Sequence, residues 1–187
     1  TSSLLSATAF ETCEGIDIDT ENEVAYITND SATGGLTSVN ISNPSLMVIL
    51  HDYDSGLFSG TRDVKIDTVN KVAYIVCDID LYLHLIDITN PSAMVILDSI
   101  VIANGGTRII LDGNTAYVSS QVGDKVISYN ITDPSNMVLG GNVTDAVDLN
   151  GARGMDIKDD VLFVACFVGD AITSIDISTP LAPSKIS

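Results

Sequence analysis

The chain has no tryptophan and little positive charge: its 8 lysines and arginines stand against 25 acids, a net charge of −17. A surface of that sign repels nucleic-acid backbones and anionic membranes, whose recognition needs clustered Lys and Arg. It suits cation-rich surroundings, and so few bases fit an extracellular protein at least as well as a cytoplasmic one. No apolar run reaches the roughly 18 residues of a membrane span. Residues 1–10 lack the basic start and long apolar core of a signal peptide, so a secreted protein is expected to carry this sequence in its mature form. Charged residues make up only 18% against 45% hydrophobic, which excludes a disordered chain. The 3 cysteines, Cys13, Cys77 and Cys166, cannot all pair within one chain. They are expected as small buried hydrophobes, with an intermolecular bond from Cys13 the minor alternative.

What is present is repetition. Asn22-Glu23-Val24-Ala25-Tyr26-Ile27-Thr28 returns as Asn70 to Val76, as Gly113 to Ser119, and more loosely as Asp160 to Ala165. The aromatic anchors Tyr26, Tyr74, Tyr117 and Phe163 step by 48, 43 and 46 residues. A second marker, Asn43-Pro44, Asn90-Pro91, Asp133-Pro134 and Thr179-Pro180, steps by 47, 43 and 46. Two markers moving together define a repeat architecture. The copies fall at about residues 12–59, 60–105, 106–150 and 151–187, within a single domain over 1–187.

Each copy predicts four short strands. The first alternates apolar and polar residues (Gly15 to Asp19, Val64 to Asp67, Arg108 to Asp112, Gly154 to Lys158), the period of a half-buried strand. An acidic or Asn/Gly turn follows, then the aromatic-anchored strand. A third runs over Leu36 to Ser42, Leu83 to Thr89, Lys125 to Thr132 and Ala171 to Ser178, and stops at the Asn-Pro marker, where proline removes a ladder donor. The fourth opens on an apolar burst such as Leu46 to Leu50. No helical period is sustained. Four-stranded units of this length predict an all-β propeller of about four blades.

Leu85-Ile86-Asp87-Ile88-Thr89-Asn90-Pro91, Ser174 to Ser178, and the Gly-Thr/Ala-Arg openings of three repeats resemble the LVIVD-repeat family. The resemblance runs from residue 12 to about 183 and implies a secreted or cell-surface β-propeller, with no shared catalytic motif to carry over. The fourth repeat ends where its outer strand should begin, while residues 1–11 are apolar and strand-like. That segment is expected to complete the last blade, in its own chain or in a neighbour.

Arg62, Arg108 and Arg153 share one repeat position, which Glu14 takes in the first copy. Near the channel mouth of a propeller they would form an anion site, or else an inter-blade salt-bridge ring with Glu14 and nearby aspartates. Asp17 with Asp19, Asn29-Asp30, Asp78-Ile79-Asp80 and Asp159-Asp160 offer oxygens that Ca²⁺ could use, but also ordinary turns; EF-hand spacing is absent. His51 and His84 fall in different strand contexts, so no catalytic or metal-ligating set is expected, and no other cofactor. Asn29, Asn40, Asn130 and Asn142 head glycosylation sequons. The leading expectation is a non-enzymatic extracellular or cell-surface module that associates with itself through its terminal strands, plausibly as a fibre subunit. The alternatives are a propeller binding a ligand, glycan or surface protein at the Arg-lined mouth, and a propeller hydrolase or lyase.

Overall fold

A computed structural model describes residues 10, 12–30, 34–54 and 56–187. The closing strand expected over residues 1–11 lies, Phe10 apart, outside the described residues. The rest folds as four antiparallel sheets of four strands, with no helix among the described residues. The first blade is β1 (Cys13–Asp19), β2 (Val24–Asn29), β3 (Gly35–Asn40) and β4 (Val48–Tyr53). The second is β5 (Thr61–Asp67), β6 (Val72–Cys77), β7 (Tyr82–Asp87) and β8 (Val95–Val101). The third is β9 (Arg108–Asp112), β10 (Thr115–Ser120), β11 (Lys125–Asn130) and β12 (Val138–Thr144). The fourth is β13 (Ala152–Lys158), β14 (Val161–Cys166), β15 (Ala171–Asp176) and β16 (Ser184–Lys185).

The turns follow from side-chain chemistry. Asp19 accepts the amides of Glu21 and Asn22 and the Asn22 side-chain amide, and Asp67 repeats the arrangement with Val69 and Asn70. The residue that closes this first hairpin is left-handed in every blade, at Glu23, Lys71, Gly113 and Asp159 (φ 52 to 57°). Only Gly113 adopts that conformation without a steric cost. After the Asn-Pro marker a tight turn closes from the Leu46 amide to the Asn43 carbonyl and recurs at Ala93, Asn136 and Ala182. The outer strand therefore starts after the turn: β4 begins at Val48, two residues later than the apolar burst suggests, and Leu46 is left exposed.

Alternate faces of the sheets pack blade on blade. Three apolar clusters result, one between each neighbouring pair of blades. Tyr26, Tyr74 and Tyr117 each stand at the centre of an interface and are fully buried. The inner strands pack in sequence, β1 on β5, β5 on β9 and β9 on β13, but no comparable packing joins β13 back to β1. The four blades form an open arc. At one end an apolar groove of about 400 Å³ is lined by residues including Ile16, Ile18, Ala25, Ile27, Val39 and Met47. At the other, Phe163 and Ile172 face outward. Among the described residues the outer place in the last blade is only partly filled. Two-residue β16 pairs with Ile175 and Asp176, and no strand among the described residues pairs with the edge from Ala171 to Thr173.

Candidate functional site

The inner strands bring the repeat position of the arginines to the axis. In β1, β5 and β13 the ladder register slips at this point, between Cys13 and Ile16, Thr61 and Asp63, and Ala152 and Met155. Such bulges re-aim a side chain out of the alternation of its strand. Glu14, Arg62, Arg108 and Arg153 meet there with Asp78, Thr107 and Gln121 around a polar cavity of about 210 Å³.

The three arginines are not equivalent. Arg62 donates through Nε to Asp78 at 2.7 Å, and its Nη1 lies 3.1 Å from Glu14 and 3.4 Å from Asp30. The hydrogen bond to Asp78 and the surrounding acids push the Arg62 pKa up. Burial raises the Asp30 carboxyl despite the opposing pull of Arg62. Space for Asp78 is kept by Gly60, left-handed at φ +70°, where a Cβ would stand 2.2 Å from Asp78 Oδ1. Arg108 is held by carbonyls, 2.8 Å to Thr107 and 3.1 Å to Arg62, with Glu14 at 4.0 Å. Arg153 donates to Gln121 Oε1 at 2.9 Å and lies over the Phe167 ring at 4.7 Å. Among the described residues no carboxylate lies within ion-pair distance of Arg153. Arg62 pairs with acids of the first two blades, while Arg108 and Arg153 line the cavity with fewer acidic partners.

The other singled-out residues fall elsewhere. Asn40 and Asn130 end β3 and β11 and accept the amides of Ser42 and Thr132, as Asp87 and Asp176 do for Thr89 and Ser178. Asn142 is exposed on β12, but Asn29 is buried in β2, which withdraws it from a glycosyl acceptor role. Of the acidic loops, Asp17 accepts the Ile66 amide across a blade boundary and Asp19 serves its hairpin. The expectation of three buried cysteines needs correction: Cys77 and Cys166 are buried, but Cys13, at the bulged start of an arc-end strand, is exposed.

Neither histidine lines the axial cavity. His51 accepts the Met94 amide at Nδ1, and His84 sits on β7. They are nonetheless linked by a ladder of rings through Tyr53 and Phe58, with centroids 5.8, 5.7 and 4.7 Å apart. Counter to the expectation of no ligating set, Cys77, Asp80 and His84 present Sγ, a carboxylate oxygen and a ring nitrogen all within 4.8 Å of one another. A strand end and a turn closed by left-handed Leu81 bring them together, which no spacing motif advertises.

Residues 23–55 and 62–101 match the LVIVD repeat model. The two matches fall on the first two blades. No curated protein matches the chain in sequence. Among solved structures the arc is similar to a protein from Lactobacillus plantarum, with a TM-score of 0.80 at 15% identity over 94% of this chain and 55% of that one. It is also similar to the periplasmic gluconolactonase of Pseudomonas aeruginosa, with a TM-score of 0.75 at 9% identity over 92% of this chain and 55% of that one. A computationally designed protein, Ika4, gives a TM-score of 0.66 at 12% identity over 92% of this chain and 94% of that one. The four repeats build a β-propeller arc that spans a little over half the length of the larger structures it resembles. It superposes better on part of those than on a chain of its own size.

Proposed function

We propose that the chain is a non-enzymatic structural module of the cell exterior or cell surface that joins copies of itself head to tail into a fibre. The observation that carries this reading is the pair of end faces: an apolar groove whose rim residues Ile16 and Ile18 are exposed at one end, and outward-facing Phe163 and Ile172 at the other. Ile16, Ile18, Ala25, Ile27, Val39 and Met47 occupy the places that Val64, Ile66, Ala73, Ile75, Ile86 and Met94 occupy in the second blade, where they pack against Tyr26. Phe163 and Ile172 occupy the places of the buried Tyr74 and Leu83. The two ends are thus the two halves of one interface that recurs three times within the chain. Such a heterologous pair can be satisfied only by another copy or by further blades. The open edge of β15 offers an added strand the same direction of growth, and the N-terminal segment is the strand proposed to fill it, in a neighbouring copy. Electron micrographs of purified native material across a dilution series test the reading. Fibres with a regular axial repeat, lost on deletion of residues 1–10 or in Phe163→Glu, are expected; discrete discs at every concentration would refute it.

A second reading rests on Arg108 and Arg153. Their charge faces a polar cavity, so a carboxylate- or phosphate-bearing ligand, a glycan or an acidic surface protein would bind at the axial mouth. Charge reversal at Arg153 should abolish such binding and leave the fold intact. The hydrolase or lyase alternative needs a histidine beside acids at the axis, and the Arg-lined cavity has none.

A further inference from the structure

We propose that Cys77, Asp80 and His84 form a binding site for a divalent transition metal of the zinc class. The repeat supplies an internal control. The residues equivalent to Cys77, Asp80 and His84 are Ser120, Gly123 and Ile127 in the third blade, and Cys166, Gly169 and Thr173 in the fourth. In the first blade Asn29 and Thr37 stand for Cys77 and His84. The fourth blade shares the cysteine alone; only the second blade adds an aspartate and a histidine to it, which brings three metal-ligating residue types together.

The surroundings hold the three side chains in place: Asp80 accepts the Ser59 and Tyr82 amides, which fix its carboxylate beside His84. His84 is buried, with Nε2 2.9 Å from Asp80 Oδ2, while its other ring nitrogen lies 2.8 Å from the Ser99 hydroxyl. A metal-bound imidazole is oriented by such a partner on its far nitrogen. The Ser99 hydroxyl can accept as readily as donate, so Nδ1 can carry the proton when Nε2 turns to a metal. Asp80 is mostly buried, and among the described residues no Lys or Arg lies within ion-pair distance of it. Phe58 packs edge-on against the His84 ring with centroids 4.7 Å apart and closes the apolar side. Tetrahedral ligands around zinc stand roughly 3.3–3.8 Å apart, given bonds of about 2.0–2.3 Å, so the widest separation in the trio must close by about 1 Å while the His84–Asp80 pair opens slightly to admit the ion. One thiolate, one imidazole and one carboxylate select zinc-like ions over calcium, which takes oxygens only. A solvent molecule entering past the partly exposed Asp80 would complete four-coordination. Binding releases the Cys77 thiol proton to solvent and clamps the end of β6 to β7 across their turn.

The test is titration of the full chain with Co²⁺ in a Cys13→Ser background, followed by displacement with Zn²⁺. The expected result is a sulfur-to-cobalt charge-transfer band with tetrahedral visible bands, saturating at one ion per chain and erased by zinc. Cys77→Ser should remove the sulfur band, and Asp80→Asn should weaken binding with the fold, followed by circular dichroism, unchanged. Ser99→Ala, which touches only the far ring nitrogen, should cost about 10-fold or more in affinity. No sulfur band in the folded protein, or the same band in Cys77→Ser, would overturn the proposal.

Discussion

Tyr74 and Phe163 hold the same place in their blades, the middle of the second strand, and meet opposite fates. Tyr74 is 0% exposed between the second and third blades, whereas Phe163 is 40% exposed at the end of the arc. Leu83 and Ile172 repeat the contrast, at 0% and 77%. Both positions carry a large apolar side chain in the same strand register, so burial here is conferred by the neighbouring blade and not by the strand. In a repeat protein stability resides largely in the interfaces between units. An end face is an interface with one side supplied.

The largest expected effect separates the two settings. Tyr74→Ala should cost about 3–5 kcal/mol in urea unfolding, the penalty of emptying a large core site, and Phe163→Ala about 1 kcal/mol in the dissociated chain. Equal losses would erase the distinction between internal and end faces. The arginines give a smaller version of the test. Arg62→Ala strands Asp78 and Asp30 at the junction of the first two blades and should cost about 1–3 kcal/mol. Arg153→Ala, at the last blade, loses one exposed hydrogen bond to an uncharged amide and a cation–π contact with Phe167, about 1 kcal/mol or less. The reverse order in thermal melts would mean that the axial ring is not what couples the first blades.

A third test sharpens the weakness of the last blade. β16 is fastened by Lys185, which reaches Asp145 at 2.7 Å and also Asp148. Hydrogen bonding from Lys185, with the Asp148 and Val147 amides, holds Asp145 well below the usual carboxylate range. A depressed carboxyl stabilises fully above its unfolded pKa of about 3.9, and that contribution is lost as pH falls through the folded value. Lys185 is raised to about 12 by the same bonds, so its share persists through neutral pH and is lost only as pH rises through that value. Acidification below about pH 4 should therefore release β16 before the inner blades. Hydrogen exchange at the Ile186 amide, bonded to the Ser174 carbonyl, reads this directly; protection that outlasts that of β10 would contradict it. The smallest effect is a gain. The Tyr74 and Tyr117 hydroxyls are buried without hydrogen-bond partners among the described residues, and burial raises both, Tyr117 to about 12. Tyr117→Phe should stabilise by about 1 kcal/mol, since it removes a desolvated polar group and keeps the ring.

The fold was legible because its two markers obey one period and because each strand type carries its own signature: alternation in β1 and β5, an aromatic centre in β2 and β6, a proline after β3 and β7. The axial position of the arginines was legible for the same reason. Their partners were only half so. Glu14 follows from its place in the repeat, but Asp30 and Asp78 reach Arg62 from the strand ends and turns that vary most between copies. The exposure of Cys13 depends on which blade lies beside β1, which no local pattern records. The trio of Cys77, Asp80 and His84 escaped because its members serve different strands. Its only trace in the sequence is that one copy alone carries metal-ligating types at all three positions.

The open arc also sets a constraint on the geometry of any assembly built from it. Each blade is rotated from the last by a fixed angle about the axis, and the chain spans 55% of the larger propellers it resembles. If the junction between two copies repeated that angular step in the same plane, the pair would sweep close to a full circle and growth would stop at a disc. A fibre needs the junction to add a tilt out of that plane, turning the circle into a screw whose pitch is set by the tilt. An interface that carries the side chains of an internal blade contact but meets an added terminal strand at its rim has the means to impose one.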